Sequence, residues 1–475
     1  MKSKHHKGWA RRAKPAIVLR WLLAVAVSVG PFAGPIGCER GGSTATSASN
    51  VILLIADDVG VDKIGAYGEH PSPPATPNID ALAARGVLFR NAYAPPVCSP
   101  SRAAMLTGRY PRRYGLGIHL RRRDTYELPL AELTLPEVLD RSATPYGHSA
   151  VGKWHMSTRS SPHAGRHPIA SGFHWYAGSL GNLGGRMSYF NWEKSTNGRF
   201  NRTSTYATTD TIDDALARIE AMQPPWFLWA AFNAAHKPYE EPPSSLHSRR
   251  DLESVADRYD AMVEALDSEI GRLLRSMDPD VLAATTIIFV SDNGTVHAGI
   301  TPPWRSSHAK ATLYEGGINV PLVIAGPRVS SPGSECAALV HVVDLFATVA
   351  EIAGVDLGQL SSGDGKPLQI DGQSLLPYLT HPSAESQRDV IYQDLFGPNG
   401  PGPYQFERRM VRDERYKLLE FVSDGSQEFY DLEGRIDDGP NRIGSLSDEE
   451  RSAYQRLRAA LDDFLVELVP AASGG

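Results

Sequence analysis

Val51-Ile52-Leu53-Leu54-Ile55-Ala56-Asp57-Asp58 sets the architecture of this chain. An apolar run without the alternation of a half-exposed strand predicts a short strand buried on both faces at the centre of a sheet. The acids that follow end it. Similar buried-strand patterns lie at His148 to Gly152, Trp226 to Phe232, Thr286 to Ser291 and Val320 to Ala325. Between them run helical patterns: Pro77 to Ala84 with Thr76 as cap, Leu135 to Arg141, Thr208 to Met222, Ser254 to Met277, and Val342 to Ala353 closed by Gly354. Alternating strand and helix predict an α/β fold, a large mixed and mostly parallel sheet sandwiched by helices. From Pro382 the pattern changes to close-set strands at Val390 to Leu395, Arg409 to Arg412, Tyr416 to Phe421 and Glu428 to Leu432, then a helix from Asp448 to Leu468. That predicts a smaller C-terminal antiparallel sheet with one helix. The division expected is residues 50–381 for a catalytic domain and 382–475 for an α+β subdomain.

The chain has 475 residues, 41% of them hydrophobic, enough for a substantial core, and its net charge of −6 argues against a general affinity for nucleic acid. Met1 to Pro15 is basic, Ala16 to Gly37 is apolar or small apart from Arg20, and Cys38 closes the run. This order over residues 1–38 is that of an export signal, implying a bacterial periplasm or cell envelope. Pro35-Ile36-Gly37-Cys38 resembles a lipoprotein cleavage box, with Pro35 where Leu is usual; lipidation of Cys38, giving membrane attachment, and ordinary cleavage nearby are the two readings. Residues 39–49 read as a flexible tether. Cys38, Cys98 and Cys336 need no disulfide framework.

In open α/β sheets ligands collect beyond the carboxyl ends of the strands. Asp57 and Asp58 end one predicted strand, and Asp292 and Asn293 follow another. Alone, each pair reads as a turn; together they make a hard-oxygen cage suited to Ca²⁺ or Mg²⁺. Cys98-Ser99-Pro100-Ser101-Arg102, followed by Ala103 to Gly108, places a cysteine and a proline at the mouth of an apolar helix. Read without context, Cys98 is a thiol nucleophile or an inert buried residue.

The stretch from Pro96 to Gly108 resembles the first signature of the type I sulfatases, in which this cysteine becomes formylglycine. Gly152-Lys153-Trp154-His155 resembles the second, with Pro145 and His148 departing from the family upstream. Ala235-His236-Lys237-Pro238 and Lys310 to Gly317 complete the set in the family's order, and the resemblance covers roughly Asn50 to Leu468. It implies an alkaline-phosphatase-like fold and hydrolysis of sulfate esters of a sulfated carbohydrate or aryl sulfate, after a formylglycine-generating maturation enzyme has acted. It implies a hydrated aldehyde at Cys98, one hydroxyl attacking sulfur in line and the other later expelling sulfate. Arg102 would face the same site. Lys153 and Lys310 would bind sulfate oxygens, His155 would hydrogen-bond the diol, and His236 would protonate the leaving oxygen. Asp57, Asp58, Asp292, Asn293 and the converted Cys98 would hold the cation, usually calcium. Without the family, a cation with Arg102, Lys153 and Lys310 facing an acid is what a sulfate transition state requires.

Two rivals are a phosphoester or phosphonate monoester hydrolase of the same superfamily and a glycan-binding lipoprotein without activity. Arg109, Arg112 and Arg113, with Arg121 to Arg123, flank the turn Gly115 to Gly117. They read either as solvated loop charges or as a lure for a sulfated glycan, with Trp175 or Trp192 stacking on a sugar. Ser157 to Phe200 and Gly294 to His308 are expected to shape the pocket. Substrate identity and oligomeric state carry no signal.

Overall fold

The computed structural model describes residues 49–361 and 368–468, which lie in one compact unit, Ser47–Gly475. The export signal, Cys38 and the tether up to residue 48 fall outside the described residues.

Ten strands form the main sheet: β1 (Asn50–Ala56), β2 (Gly86–Tyr93), β3 (Gly147–Gly152), β4 (Trp175–Gly178), β5 (Trp192–Thr196), β6 (Arg199–Thr203), β7 (Trp226–Ala231), β8 (Thr285–Ser291), β9 (Leu322–Ala325) and β10 (Ser334–His341). Their order is β10-β2-β9-β8-β1-β7-β3-β4-β5-β6. β8, β1, β7, β3 and β4 are parallel neighbours, so their carboxyl ends share one edge. The decisive stretch is the centre of that block. Side chains alternate faces along a strand, and Val51, Leu53 and Ile55 enter one core cluster while Ile52, Leu54 and Ala56 enter the other. A strand buried on both sides therefore has no polar position, which is why the run is unbroken.

Helices cover both faces. On the first lie α1 (Pro77–Ala84) and the helices Ala207–Ala221 and Val255–Ser276, which contribute Ile79, Ile212 and Met262 to one cluster. On the second lie α2 (Cys98–Thr107) and the helices Leu135–Leu139, Asp344–Ile352 and Asp448–Leu468, contributing Met105, Val138, Phe346 and Leu457 to the other. Thr76 precedes α1 as expected, but its hydroxyl does not cap it. The N–H groups of Asn78 and Ile79 instead donate to Asp267 Oδ1 at 3.0 and 2.8 Å, a cap supplied by a neighbouring helix.

Five strands outside the expected set complete the sheet. In β2, Arg90 and Asn91 interrupt the apolar run, and Arg90 pairs at 2.6 Å with Glu335 on the adjacent β10. β5 and β6 form a hairpin closed by Asn197 and Gly198, both at positive φ, the turn whose twist matches the flanking strands. Asn-Gly was its readable signal. The second sheet runs β11 (Ile391–Gly397), β12 (Phe406–Arg412), β13 (Tyr416–Phe421) and β14 (Ser426–Asp431), antiparallel in that order, with the helix Asp448–Leu468 as expected. Among the described residues no helix is long and apolar enough to cross a membrane.

The first arginine cluster turns inward. Arg112 Nε lies 2.8 Å from Asp394 on β11 and its Nη2 lies 2.5 Å from Glu407 on β12, tying the segment after α2 to the small sheet. Arg113 pairs with Asp371, and Arg109 with Glu132. Arg112 and Asp394 are nearly free of solvent, so removing one leaves an uncompensated buried charge. Arg112→Ala is expected to lower unfolding free energy by about 3 kcal/mol. Asp462→Ala, which removes an exposed partner of Arg458, should cost under about 1 kcal/mol. Denaturant unfolding of both variants checks the contrast.

Candidate active site

The strands β8, β1, β7 and β3 end side by side, and each delivers part of one cluster. β8 leads into Asp292 and Asn293, β1 into Asp57 and Asp58, β7 into the turn carrying His236, and β3 into Lys153 and His155. α2 begins at Cys98 above them. Cys98 Sγ lies 3.4 Å from Asp57 Oδ1 and 3.9 Å from Asp58 Oδ1, and Lys310 Nζ lies 3.3 Å from the sulfur. One ligand atom each from Asp57, Asp58, Cys98 and Asp292 fall within 4.8 Å of one another, all on buried residues.

Local backbone sets these directions. Gly152 has φ +85°, and a Cβ there would meet the Ala231 carbonyl oxygen at 1.9 Å, so only glycine turns the chain from β3 into Lys153. Asp58 and His155 also adopt positive φ, a cost concentrated at the site. Backbone bonds hold both: Asp58 N–H donates to Asp292 Oδ1 at 3.2 Å, and His155 N–H donates to Leu180 O at 3.0 Å.

Charges are matched within the cluster. Arg102, without solvent exposure, bonds through Nε to Asp292 Oδ2 at 2.9 Å and through Nη1 to Lys153 O at 2.7 Å. Lys153 pairs with Asp57 and Lys310 with Asp58, so both lysines sit on carboxylates at the place where sulfate was expected. Burial, then Asp292, pushes the Asp57 carboxyl up to about 7. Burial opposes ionisation of Asp58 as well, yet Lys310 and His236 hold it below the usual carboxylate range. Burial, then Asp292 and Asp57, raises the Cys98 thiol well above its ordinary value.

The two histidines have assignable roles. His236 Nδ1 lies 2.7 Å from Lys237 O, which only accepts, so Nδ1 carries a proton and Nε2, 3.9 Å from Asp58 Oδ2, is the exchangeable atom. His155 Nε2 likewise donates to Leu120 O at 2.9 Å, leaving Nδ1 as an acceptor that is buried and unpartnered.

The donor set fits a hard cation. Asn293 Nδ2 donates to Asp58 Oδ1 at 2.9 Å, while Asn293 Oδ1 is buried without a partner. An orphaned amide oxygen beside three carboxylates wants a positive charge. Only the sulfur of Cys98 is too soft for such a site.

The expected residues thus converge, and others join them. A cleft of about 440 Å³ is lined by Asp58, Cys98, His236 and Lys310, together with His119, Asn182 and Tyr239. His119 and Asn182 carry no motif. His119 is placed by its neighbour Leu120, whose N–H donates to Ser99 Oγ at 2.9 Å. The expected stacking aromatics are not there: Trp192 is buried, and Trp175 lies under Arg218 at 4.9 Å. The segment from Ser157 to Phe200 does line a neighbouring cavity.

Comparison with known proteins agrees with this arrangement. The family described as Sulfatase matches residues 49–355, and that described as N-sulphoglucosamine sulphohydrolase, C-terminal, matches residues 306–469. The chain is 34% identical over 378 residues to human N-acetylgalactosamine-6-sulfatase, covering 71% of this chain and 67% of the relative. It is 29% identical to Bos taurus arylsulfatase A, covering 81% and 77%. The crystal structure of Ps i-CgsB in complex with k-i-k-neocarrahexaose superposes with a TM-score of 0.74 at 25% identity, covering 88% of this chain and 92% of that one.

Burial, then Lys310, Arg121 and Lys153, pushes His119 down to about 4 from an unfolded value near 6.5. The unfolded chain therefore binds more protons between those values, and stability is lost as pH falls through that window. His119→Gln is expected to flatten the acid side of the stability curve, by at most about 1.4 kcal/mol per pH unit. His155 and His236, also lowered, keep part of the slope in the variant. Denaturant unfolding at stepped pH from 7 to 4 measures it, and an unchanged slope counts against a neutral His119.

Proposed function

The chain belongs to the sulfatase family and is a sulfuric ester hydrolase, and we propose that it works through an oxygen nucleophile made from Cys98 beside one hard divalent cation. The observation that carries this reading is the orphaned Asn293 Oδ1, on a side chain bonded to Asp58, beside the cluster of Asp57, Asp58 and Asp292. Those four residues would hold the cation together with residue 98. When bound, Ca²⁺, or Mg²⁺ in its place, supplies positive charge to the scissile group and favours an ionised hydroxyl nearby. Conversion of Cys98 to formylglycine by a maturation enzyme replaces the soft sulfur with oxygen. It also replaces a thiol that burial and two carboxylates hold protonated, and a protonated thiol is a poor nucleophile.

The remaining residues divide the work. Lys153 and Lys310 exchange their carboxylate partners for nonbridging sulfate oxygens and orient the ester for in-line attack. Arg102 is a positioning residue: it fixes Asp292 and the Lys153 backbone without reaching solvent. His155, anchored on Leu120 O, accepts at Nδ1 the hydrogen bond of a hydroxyl at residue 98. His236, anchored through Nδ1 on Lys237 O, points Nε2 at the departing oxygen; once Nε2 has taken a proton, a charge that Asp58 favours, it passes that proton to the oxygen. The substrate class is a sulfated carbohydrate or aryl sulfate, a choice supported by the names of the relatives and by the oligosaccharide in Ps i-CgsB.

The division into residues 50–381 and 382–475 belongs to the same proposal. So does export to a bacterial periplasm or envelope, supported by the basic and then apolar residues 1–38, with Cys38 as a lipid acceptor.

Matured protein is expected to cleave 4-nitrophenyl sulfate faster than the phosphate ester. Chelation should abolish this turnover and Ca²⁺ should restore it; faster phosphate cleavage, or indifference to chelation, contradicts the proposal. His236→Ala should lose about 10²–10⁴-fold in kcat on a sugar sulfate and much less on 4-nitrophenyl sulfate, whose leaving group departs without a proton. Equal losses on both substrates would remove the acid role.

A further inference from the structure

Beside the catalytic cleft lies a second cavity of about 260 Å³, whose lining includes His119, Arg121, Arg122, Arg159, Asn182 and Phe200. His119 and Asn182 also line the catalytic cleft, so the two spaces meet along those side chains. We propose that this cavity is an anion-binding subsite and that the preferred substrate is a saccharide carrying a second anionic group besides the scissile sulfate. The proposal rests on the reading of the neighbouring cleft as the sulfate-cleaving site.

Charge is the first argument. Arg109, Arg112 and Arg113 are each matched by an acid, whereas Arg121 and Arg122 are exposed and form no ion pair among the described residues. One acid, Glu193, lines the cavity, and it is answered by Arg159 at 3.4 Å; the same guanidinium lies 3.9 Å from the centre of the Phe200 ring. Two positive charges at the cavity are left without a counter-ion. A guanidinium fork without an acid partner is matched by a carboxylate or sulfate, which accepts in its plane.

Preorganisation is the second. The arginine turn is tied down at both ends: Arg121 N–H donates to Asp124 Oδ2 at 2.7 Å, and Asp124 N–H returns to Arg121 O at 2.9 Å. Asp124 thus spends its carboxylate on backbone and not on a guanidinium. Leu120 joins the turn to the catalytic helix through Ser99 Oγ and to His155 through its carbonyl. An anion held here is therefore set at a fixed offset from residue 98.

The third is a polar group without a partner. Asn182 Oδ1 is buried and accepts nothing, which costs free energy unless a ligand donates to it. A sugar hydroxyl or N–H supplies that donor. With Phe200 and its covering Arg159 as one wall, the cavity presents an acceptor and two cations, the complement of the donor and the anion of a charged pyranose.

The test compares kcat/KM of matured protein on 4-nitrophenyl sulfate, a neutral monosulfated sugar, and the same sugar carrying in addition a carboxylate or a second sulfate. Wild type should prefer the doubly anionic sugars by about tenfold or more over the neutral one, and the preference should shrink with added NaCl. The better of the two arms identifies the anion. In R121A/R122A the preference ratio should fall about tenfold, and in R121E/R122E it should invert. Both arginines are exposed, and thermal unfolding verifies that the variants are folded. A wild-type ratio near one, or a ratio unmoved in R121E/R122E, overturns the subsite while leaving sulfate hydrolysis intact. Failure of wild type on every sulfate ester, 4-nitrophenyl sulfate included, overturns both readings.

Discussion

Three carboxylates, Asp57, Asp58 and Asp292, are buried together at the ends of adjacent parallel strands, and most of the structure answers that concentration of charge. Burying like charges without compensation costs many kcal/mol, so the cluster exists only with cations around it. Arg102 comes from α2, Lys153 from the end of β3 and Lys310 from the loop after β8, three distant parts of the chain drawn to one point. Burial, then Asp292, still pushes the Asp57 carboxyl up, against the pull of Lys153 and Arg102.

The same carboxylates decide what residue 98 can be. Asp57 and Asp58 lie within hydrogen-bonding reach of Sγ, and burial, then Asp292 and Asp57, hold the thiol protonated. A thiolate nucleophile is disfavoured at this position, and sulfur is a soft neighbour for these oxygens. Oxygen at residue 98 removes both conflicts at once. Each histidine has one nitrogen committed to a backbone carbonyl, which leaves the other free to face the site.

Much of this was legible in the chain. The run Val51 to Ala56 announced a strand buried on both faces, and acids placed directly after such a strand must sit at its carboxyl end. Lys153 and His155 likewise follow a buried strand and Arg102 lies one helical turn past Cys98, while the roles expected of them came from the resemblance to the sulfatase signatures. What escaped reading depends on long-range partners. Arg112 looks like a solvated loop charge until Asp394 and Glu407, nearly three hundred residues on, are folded against it. His119 and Asn182 lie on loops held by bonds from Ser99 and from elsewhere, and no local pattern marks them. β2 and β10 hid because a cross-strand pair, Arg90 with Glu335, replaces apolar continuity.

Oxygen in place of sulfur at residue 98 has a direct readout, the mass of the peptide spanning residue 98 in active protein made alongside a maturation enzyme. Exchange of the thiol for an aldehyde removes one sulfur and two hydrogens and adds one oxygen, and a peptide lighter by that difference, in proportion to specific activity, is the expected result. A fully active preparation whose peptide keeps the intact thiol would contradict it.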